Sequence, residues 1–384
     1  MFSYKTITIF LCISIVGAFI CVFNLLDVGD KLPPQQVKKY TYALLNSEDG
    51  NFLAKIDAIK DKIFKKYSIR DNIFPSTVDL DGNVYFEQFI SGVFGNNVYV
   101  FYPARGRYRR IVNSKGRLHL KTFRYKDKLY VLCSEQDFKK HTFPPRQSGL
   151  EVYDLRTKTY IKTLYFNDFG TSTKLASYID YKKGLFITTA VNLNSMQYTD
   201  DDEKTFIHII DLNTDKSIVN KNLSLYTMGD AYISSGNGEI YFSSMCKNYT
   251  KHPNINIRRS AILGYSIKTG RIEEKIRFNN INDRIRDVCY NNNNNKLYLN
   301  IENIDSFSGL RIIDCLTWKV IKEIPLFIGK MTMVNENKIY LQGLKNIQNY
   351  DESKGIYVLD TRTDKIIKFI KGNFLDIAEN AWYY

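Results

Sequence analysis

The sequence predicts an all-β chain, a seven-bladed β-propeller of four-stranded blades carrying an N-terminal transmembrane helix. Three observations predict it. Short apolar strands alternate with tight polar turns along most of the chain. One turn recurs five times, as Asp154-Leu155-Arg156-Thr157-Lys158, Asp211-Leu212-Asn213-Thr214-Asp215-Lys216, Ser266-Ile267-Lys268-Thr269-Gly270-Arg271, Asp314-Cys315-Leu316-Thr317-Trp318-Lys319 and Asp360-Thr361-Arg362-Thr363-Asp364-Lys365, at spacings of 57, 55, 48 and 46 residues. A strand-built period near 50 is the mark of a propeller. Residues 7–26, finally, form an apolar run without a charge.

The last repeat displays all four strands, A (innermost) to D (outermost). Strand A is expected over 330–334, B over 339–341, C over 356–359 and D over 366–370. C–D hairpins are expected at 52–69, 98–112, 150–166, 206–225, 261–278, 310–326 and 356–370, which counts seven blades. The A–B turns between them carry Asp81-Gly82-Asn83, Lys126-Asp127, Lys182-Lys183-Gly184, Gly236-Asn237-Gly238, the 291–295 Asn run and Asn335-Glu336-Asn337. Gly and Asn tolerate positive φ there. The first repeat has B (40–45), C and D but no A. Residues 374–379 read as a lone strand A, so the C-terminus is expected to complete the first blade and remove two open edges. The repeated Asp at the end of strand C, with the Thr three residues on, is expected to hold turn N–H groups. Repetition around a ring assigns these residues to the scaffold rather than to catalysis.

Aromatic residues make up 14 % of the chain, with 28 Tyr and 24 Phe, which suits half-buried pleated surfaces. The five turns, together with Leu129-Tyr130-Val131, Ile240-Tyr241-Phe242, Leu297-Tyr298-Leu299 and Ile339-Tyr340-Leu341, resemble the YVTN-type (surface-layer/quinoprotein-like) seven-bladed propeller repeat. The resemblance runs from about residue 39 to the C-terminus. It implies the fold and no particular chemistry. Blades 1 and 2 depart from it, with Lys60-Asp61-Lys62 and Arg105-Gly106-Arg107 in place of the Thr turn. The Trp-Asp and Gly-His pairs of WD40 repeats are missing, as are the paired glycines of kelch repeats.

Domain boundaries follow: a membrane anchor or signal segment over 1–26, a linker over 27–38 stiffened by Pro33-Pro34, and the propeller over 39–384. Twenty apolar residues match the hydrocarbon thickness of a bilayer. The run is long for a cleaved signal and lacks a small-x-small site after it. The expectation is a single-pass membrane protein with the propeller outside the cytoplasm. Secretion, or release to a periplasm after cleavage, is the alternative. The six Cys show no framework spacing and are expected as free thiols.

The search for chemistry excludes several classes. No P-loop, dinucleotide fingerprint, nucleophile elbow or zinc spacing occurs. The four histidines, His119, His141, His208 and His252, form no ligand pair in sequence, and His208 is expected to pack within a strand C. No metal or cofactor is expected. The formal net charge of +14 points to an acidic partner or to a solvated basic surface, and no block of five like charges occurs. The long B–C connections are the candidate binding loops, since loops on a rigid scaffold carry function. They run over 134–146, over 192–205 with its acidic cluster, and over 247–259. They bring Lys139, Lys140, His141, Arg146, Lys251, His252, Arg258 and Arg259 to one face as candidate ligand-binding residues.

The leading functional expectation is a membrane-tethered, non-catalytic propeller that binds a protein or an acidic or glycan ligand through this face. One alternative is a propeller-type lactonase or lyase working at the mouth of the central channel, which requires inward-pointing acids and bases. A second is an electrostatic binder of anionic lipid or nucleic acid, with nucleic acid the less favoured.

Overall fold

The computed structural model describes residues 39–69, 73–90, 93–113, 117–135, 147–166, 176–193, 203–222, 233–244, 260–280, 283–303, 308–346 and 353–381. Blade 1 begins with β1 (Tyr40–Ser47), β2 (Gly50–Asp57) and β3 (Lys62–Ser68). Blade 2 contains β4 (Ile73–Val78), β5 (Val84–Ile90), β6 (Val93–Tyr102) and β7 (Arg107–Asn113). Blade 3 contains β8 (Arg117–Tyr125), β9 (Lys128–Glu135), β10 (Gln147–Asp154) and β11 (Thr159–Tyr165). Blade 4 contains β12 (Ala176–Asp180), β13 (Leu185–Leu193), β14 (Glu203–Asp211) and β15 (Lys216–Asn222). Blade 5 contains β16 (Ile233–Gly236), β17 (Glu239–Ser244), β18 (Ala261–Ser266) and β19 (Ile272–Arg277). Blade 6 contains β20 (Arg284–Asn291), β21 (Lys296–Glu302), β22 (Gly309–Asp314) and β23 (Lys319–Pro325). Blade 7 contains β24 (Phe327–Asn335), β25 (Lys338–Leu344), β26 (Lys354–Asp360) and β27 (Lys365–Lys371). Each blade is an antiparallel meander in chain order.

The ring closes as expected. β28 (Asn373–Ile377) pairs antiparallel with β1, placing Ile377 opposite Ala43 and Asn373 opposite Asn46. It is strand A of blade 1, supplied by the far end of the chain. The short β29 (Glu379–Asn380) then runs parallel beside the end of β4, adding a fifth strand to blade 2.

Seven buried clusters, one at each blade interface, form the core. The strand period of two creates them. On β9, Leu129 and Val131 face blade 2, while Tyr130 and Leu132 face blade 4. On β25, Ile339 and Leu341 face blade 6, while Tyr340 faces blade 1. Both faces of each blade are therefore covered, and only the outermost strands carry exposed residues in number, as in β3 and β11.

The recurrent turn has a geometric cause. All seven C–D pairs carry a register shift, just before the last two residues of strand C in five blades and two residues earlier in blades 2 and 5. All seven turns then place one residue at positive φ: Asp61, Gly106, Lys158, Asp215, Gly270, Trp318 and Asp364. Such bulges increase local twist, which radial blades require. The strand-C Asp holds the turn, as Asp154 Oδ1 accepts from the N–H groups of Arg156 (2.7 Å) and Thr157 (2.9 Å). The Thr plays two parts. Thr269 accepts the Arg271 N–H at 3.3 Å as expected, whereas Thr214 and Thr317 donate their hydroxyls to Asp211 and Asp314. Blade 1 departs less than its sequence suggests, since Asp57 caps the N–H groups of Ile59 and Lys60 in the same way.

Three of the positive-φ residues are aspartates, and each bridges to the preceding blade. Asp61 accepts from Lys338 Nζ (2.7 Å) and Tyr340 OH (2.8 Å). Asp215 accepts from Lys128 and, at 2.7 Å, from Tyr130 OH. Asp364 accepts from Lys296 and, at 3.0 Å, from Tyr298 OH. A Lys-x-Tyr at the start of strand B thus clamps the next blade's turn. Where blade 5 meets blade 6, Glu239 and Trp318 occupy the corresponding positions. The clamp there is an edge contact of Tyr241 with Trp318 (5.4 Å), and Glu239 pairs with Lys275 instead.

The apolar run over 7–26 and the linker over 27–38 lie outside the described residues. Among the described residues no helix is long and apolar enough to cross a membrane. Of the cysteines, Cys133 and Cys315 are free and buried, and Cys289 is free and half-buried.

Candidate functional site

The innermost strands surround a central cavity of about 1190 Å³. It is lined by the first residues of strands A, the last of strands B and the first of strands C, so it opens toward the face that carries the B–C and D–A connections. Toward the opposite face the C-terminal segment crosses it. Asn380 is buried and its amide reaches Thr41 of blade 1 (3.2 Å), and Ala381 packs into the cluster between blades 3 and 4. The channel is therefore floored by the tail that closes the ring.

Every blade contributes a polar side chain to the wall: Asp376 from blade 1, Ser76 and Glu87 from blade 2, Lys121 from blade 3, Ser177 from blade 4, Ser234 from blade 5, Asp287 from blade 6 and Lys330 from blade 7. Two ion pairs organise this ring. Lys330 Nζ meets Asp376 Oδ1 at 2.9 Å. Lys121 Nζ meets Glu379 Oε2 at 2.7 Å and also donates to the Ser177 carbonyl at 3.0 Å. Lys121 is buried, and this partner offsets the desolvation of its ammonium. Higher in the wall, Arg286 Nε donates to Glu302 at 2.6 Å. The Asn300 amide reaches the Ile328 and Gly329 carbonyls at 2.8 and 2.7 Å, and the Gln342 amide reaches the Phe374 carbonyl at 2.6 Å.

Two carboxylates stand outside the ion pairs. Asp287 accepts backbone N–H bonds from Met331 (2.6 Å) and Val288 (2.9 Å). Burial nonetheless pushes its carboxyl up to about 7. Glu87 accepts a hydrogen bond from Ser76, whose Oγ in turn accepts from the Thr122 N–H at 2.9 Å. Its Oε1 is buried without a hydrogen-bond partner among the described residues. Burial pushes Glu87 up to about 7 as well. Burial acts against the Lys330 ammonium, but Asp376 and Glu379 outweigh it and raise the group above its ordinary value. Burial, and then the nearby Asp287, raises the Cys289 thiol, so Cys289 is not a thiolate nucleophile at neutral pH. The ring can thus supply two fixed cations and two carboxyl groups that exchange protons near neutrality.

The eight residues expected from sequence, Lys139, Lys140, His141, Arg146, Lys251, His252, Arg258 and Arg259, lie outside the described residues. So do Cys246 and most of the acidic connection at 194–202. The strands that flank these connections are described. β9 ends with Glu135 opposite Gln147, and β17 ends with Ser244 opposite Ala261. His208 is buried, with its ring 4.9 Å from Phe166 and 6.4 Å from Phe206, which is packing. Among the described residues no cluster of three His, Cys, Asp or Glu side chains could hold a metal ion. Sequence reasoning missed the channel ring. Its signal was a charge within an innermost strand, in Leu120-Lys121-Thr122, Gly329-Lys330-Met331, Asp287-Val288 and Leu375-Asp376-Ile377.

Fold and channel together define a seven-bladed β-propeller with a polar, floored channel. No family model matches the chain, and no curated protein does. Solved structures do. Hydrazine synthase of Kuenenia stuttgartiensis aligns with a TM-score of 0.60 at 13 % identity, covering 84 % of this chain and 96 % of that one. A puromycin hydrolase aligns at 0.59 and 10 % identity, covering 88 % of this chain and 52 % of that one. The β-propeller domain of the trilobed protease of Pyrococcus furiosus aligns at 0.54 and 10 % identity, covering 83 % and 89 %. That domain is described as having an open velcro topology, whereas here β28 closes the first blade. Identities this low establish the fold alone.

Proposed function

We propose that this chain is a membrane-tethered propeller that binds a small, neutral, hydroxyl-rich ligand in its central channel, a short glycan being the chemical class that fits. The observation that carries this reading is the self-neutralised ring. Lys121 and Lys330 are matched by Glu379 and Asp376, so the wall offers many donors and acceptors with little net charge. Ser76, Ser177, Ser234, Asn300 and Gln342 add neutral polar groups, and Phe74, Tyr178 and Phe327 add aromatic surface. This combination suits sugar hydroxyls and ring faces better than a strongly acidic ligand. The tether rests on the uncharged run over 7–26. The cationic loop residues, from Lys139 to Arg259, belong to connections leaving the face where the channel opens, and they serve in this reading as its rim. Affiliation with YVTN-type repeats is supported by the Asp-x-x-Thr turns.

A second reading has its own observation. Two carboxyl groups poised near neutrality, Glu87 and Asp287, are what general acid–base chemistry needs. An oligogalacturonate lyase and a puromycin hydrolase are among the structural neighbours.

The test is calorimetric titration of the purified chain with panels of neutral oligosaccharides and of uronic-acid oligosaccharides. Binding of a neutral member, weakened at least tenfold in Asp287→Ala with Glu87→Ala, supports the reading. Binding left intact by that double change, or confined to the uronic acids and lost with Lys139, Lys140, Arg258 and Arg259 replaced by Ser, places the ligand on the loops instead. Turnover of the bound glycan, abolished by Glu87→Gln, selects the enzymatic reading.

A further inference from the structure

The outer edge of blades 1 and 2 carries a concentrated basic surface. β3 exposes Lys62, Lys65 and Lys66, and β7 exposes Arg107, Arg109 and Arg110. These two outermost strands are neighbours: Tyr67 on β3 packs at a tilt against Phe101 of β6 (4.7 Å between centroids), and Tyr108 of β7 joins the same cluster. Among the described residues none of the six cations forms an ion pair, although eighteen ion pairs occur there. The nearby acids are already committed, Asp57 to the turn N–H groups and Lys39, and Asp61 to the blade 7 clamp. Crowding extends inward. Burial lowers the Lys55 ammonium, and the charges of Lys65 and Lys39 lower it further. Amid the cations Phe64 is 57 % exposed, beside Ile59 at 68 %.

The chain also enters the propeller here. The Tyr40 ring lies 5.3 Å from Phe64, and Lys55 Nζ sits 3.8 Å over it. Only the twelve residues 27–38 separate this point from the apolar run. Fully extended, they reach about 40 Å.

We propose that this edge docks on an anionic lipid surface, with Lys62, Lys65, Lys66, Arg107, Arg109 and Arg110 against the headgroups and Phe64 at the interface. An apolar side chain among unpaired cations is the composition of interfacial binding sites. Each cation near such a surface contributes about 1 kcal/mol. Docking would lay the propeller on its side, with the channel opening parallel to the membrane. The proposal uses the tether reading to choose lipid over nucleic acid.

The experiment is amine acylation of the full-length chain in nanodiscs of phosphatidylcholine alone or with phosphatidylserine, read by mass spectrometry. Lys62, Lys65 and Lys66 should react about fivefold more slowly in the anionic discs, the factor that corresponds to 1 kcal/mol. High salt should abolish the difference, and Lys158, Lys216, Lys268 and Lys319 should not change. Equal rates in both discs overturn the proposal. So does protection that appears with single-stranded DNA in neutral discs and not with phosphatidylserine. If the chain fails to stay with neutral discs, the tether reading falls, and the patch is read by sedimentation with phosphatidylserine vesicles. Pelleting lost when the six cations are replaced by Ser supports docking, and pelleting unchanged by those replacements overturns it.

Discussion

Lys158 and Asp215 hold equivalent left-handed positions, at φ 59° and 52°, yet they are there for different reasons. Lys158 is exposed, and its backbone conformation is strained for any residue with a Cβ. Lys158→Gly should therefore stabilise the protein by about 0.5–1 kcal/mol. Asp215→Gly relieves the same strain but leaves Lys128 without its carboxylate and the buried Tyr130 hydroxyl with only the Leu212 carbonyl at 3.1 Å. It should cost about 2–3 kcal/mol. Thermal unfolding of the two variants checks both signs, and a gain from both would remove the clamp from the account. Glu87 gives a pH test. Its folded-state pKa of about 7 lies above the ordinary 4.5, so the unfolded chain releases the proton first as pH rises. Stability is lost between those values, and the full penalty applies above the higher one. Glu87→Gln should then raise the melting temperature at pH 8, by about 1–2 kcal/mol of stability after allowance for channel water. At pH 4 it should change little. An equal effect at both pH values would contradict the assignment.

At the scale of elements, the sequence carried most of the scaffold. Short apolar runs between polar turns located the C–D hairpins because strands B and C are buried on both faces and demand apolar residues at successive positions. The Asp-x-x-Thr turn was legible because a bulge followed by a left-handed residue restricts what can stand there. Asp57 escaped notice because blade 1 keeps the capping Asp and drops the Thr. The channel ring was not legible, since it is assembled from isolated polar side chains of all seven blades, far apart in sequence. The residues chosen for binding came from loop length and charge, properties that do not report distance to the channel. The clamp makes a prediction at this scale too. Asp61 joins blade 7 to blade 1, beside the seam where the chain ends meet. Asp61→Asn should raise hydrogen exchange of β1 and β28 amides above that of β9 and β13. Uniform exchange across all blades would show that the seam needs no clamp.

For the whole molecule, the net charge of +14 is distributed unevenly. Cations in the channel and at the clamps are paired, while the edge of blades 1 and 2 carries six exposed cations outside any ion pair among the described residues. In the proposed reading the basic surface and the channel serve different partners. Closure ties them together. The strand that completes blade 1 also brings Asp376 to Lys330, and the residues after it bring Glu379 to Lys121 and floor the channel. The most direct measurement is thermal unfolding of a chain ending at Lys371, which lacks β28 and β29. It exposes two strand edges and loses the buried Phe374, Ile377, Ala378 and Ala381. The account predicts a loss of about 3 kcal/mol or more, seen as a clearly lower melting temperature. A truncated chain that melts at the same temperature as the full one would contradict closure, and with it the channel.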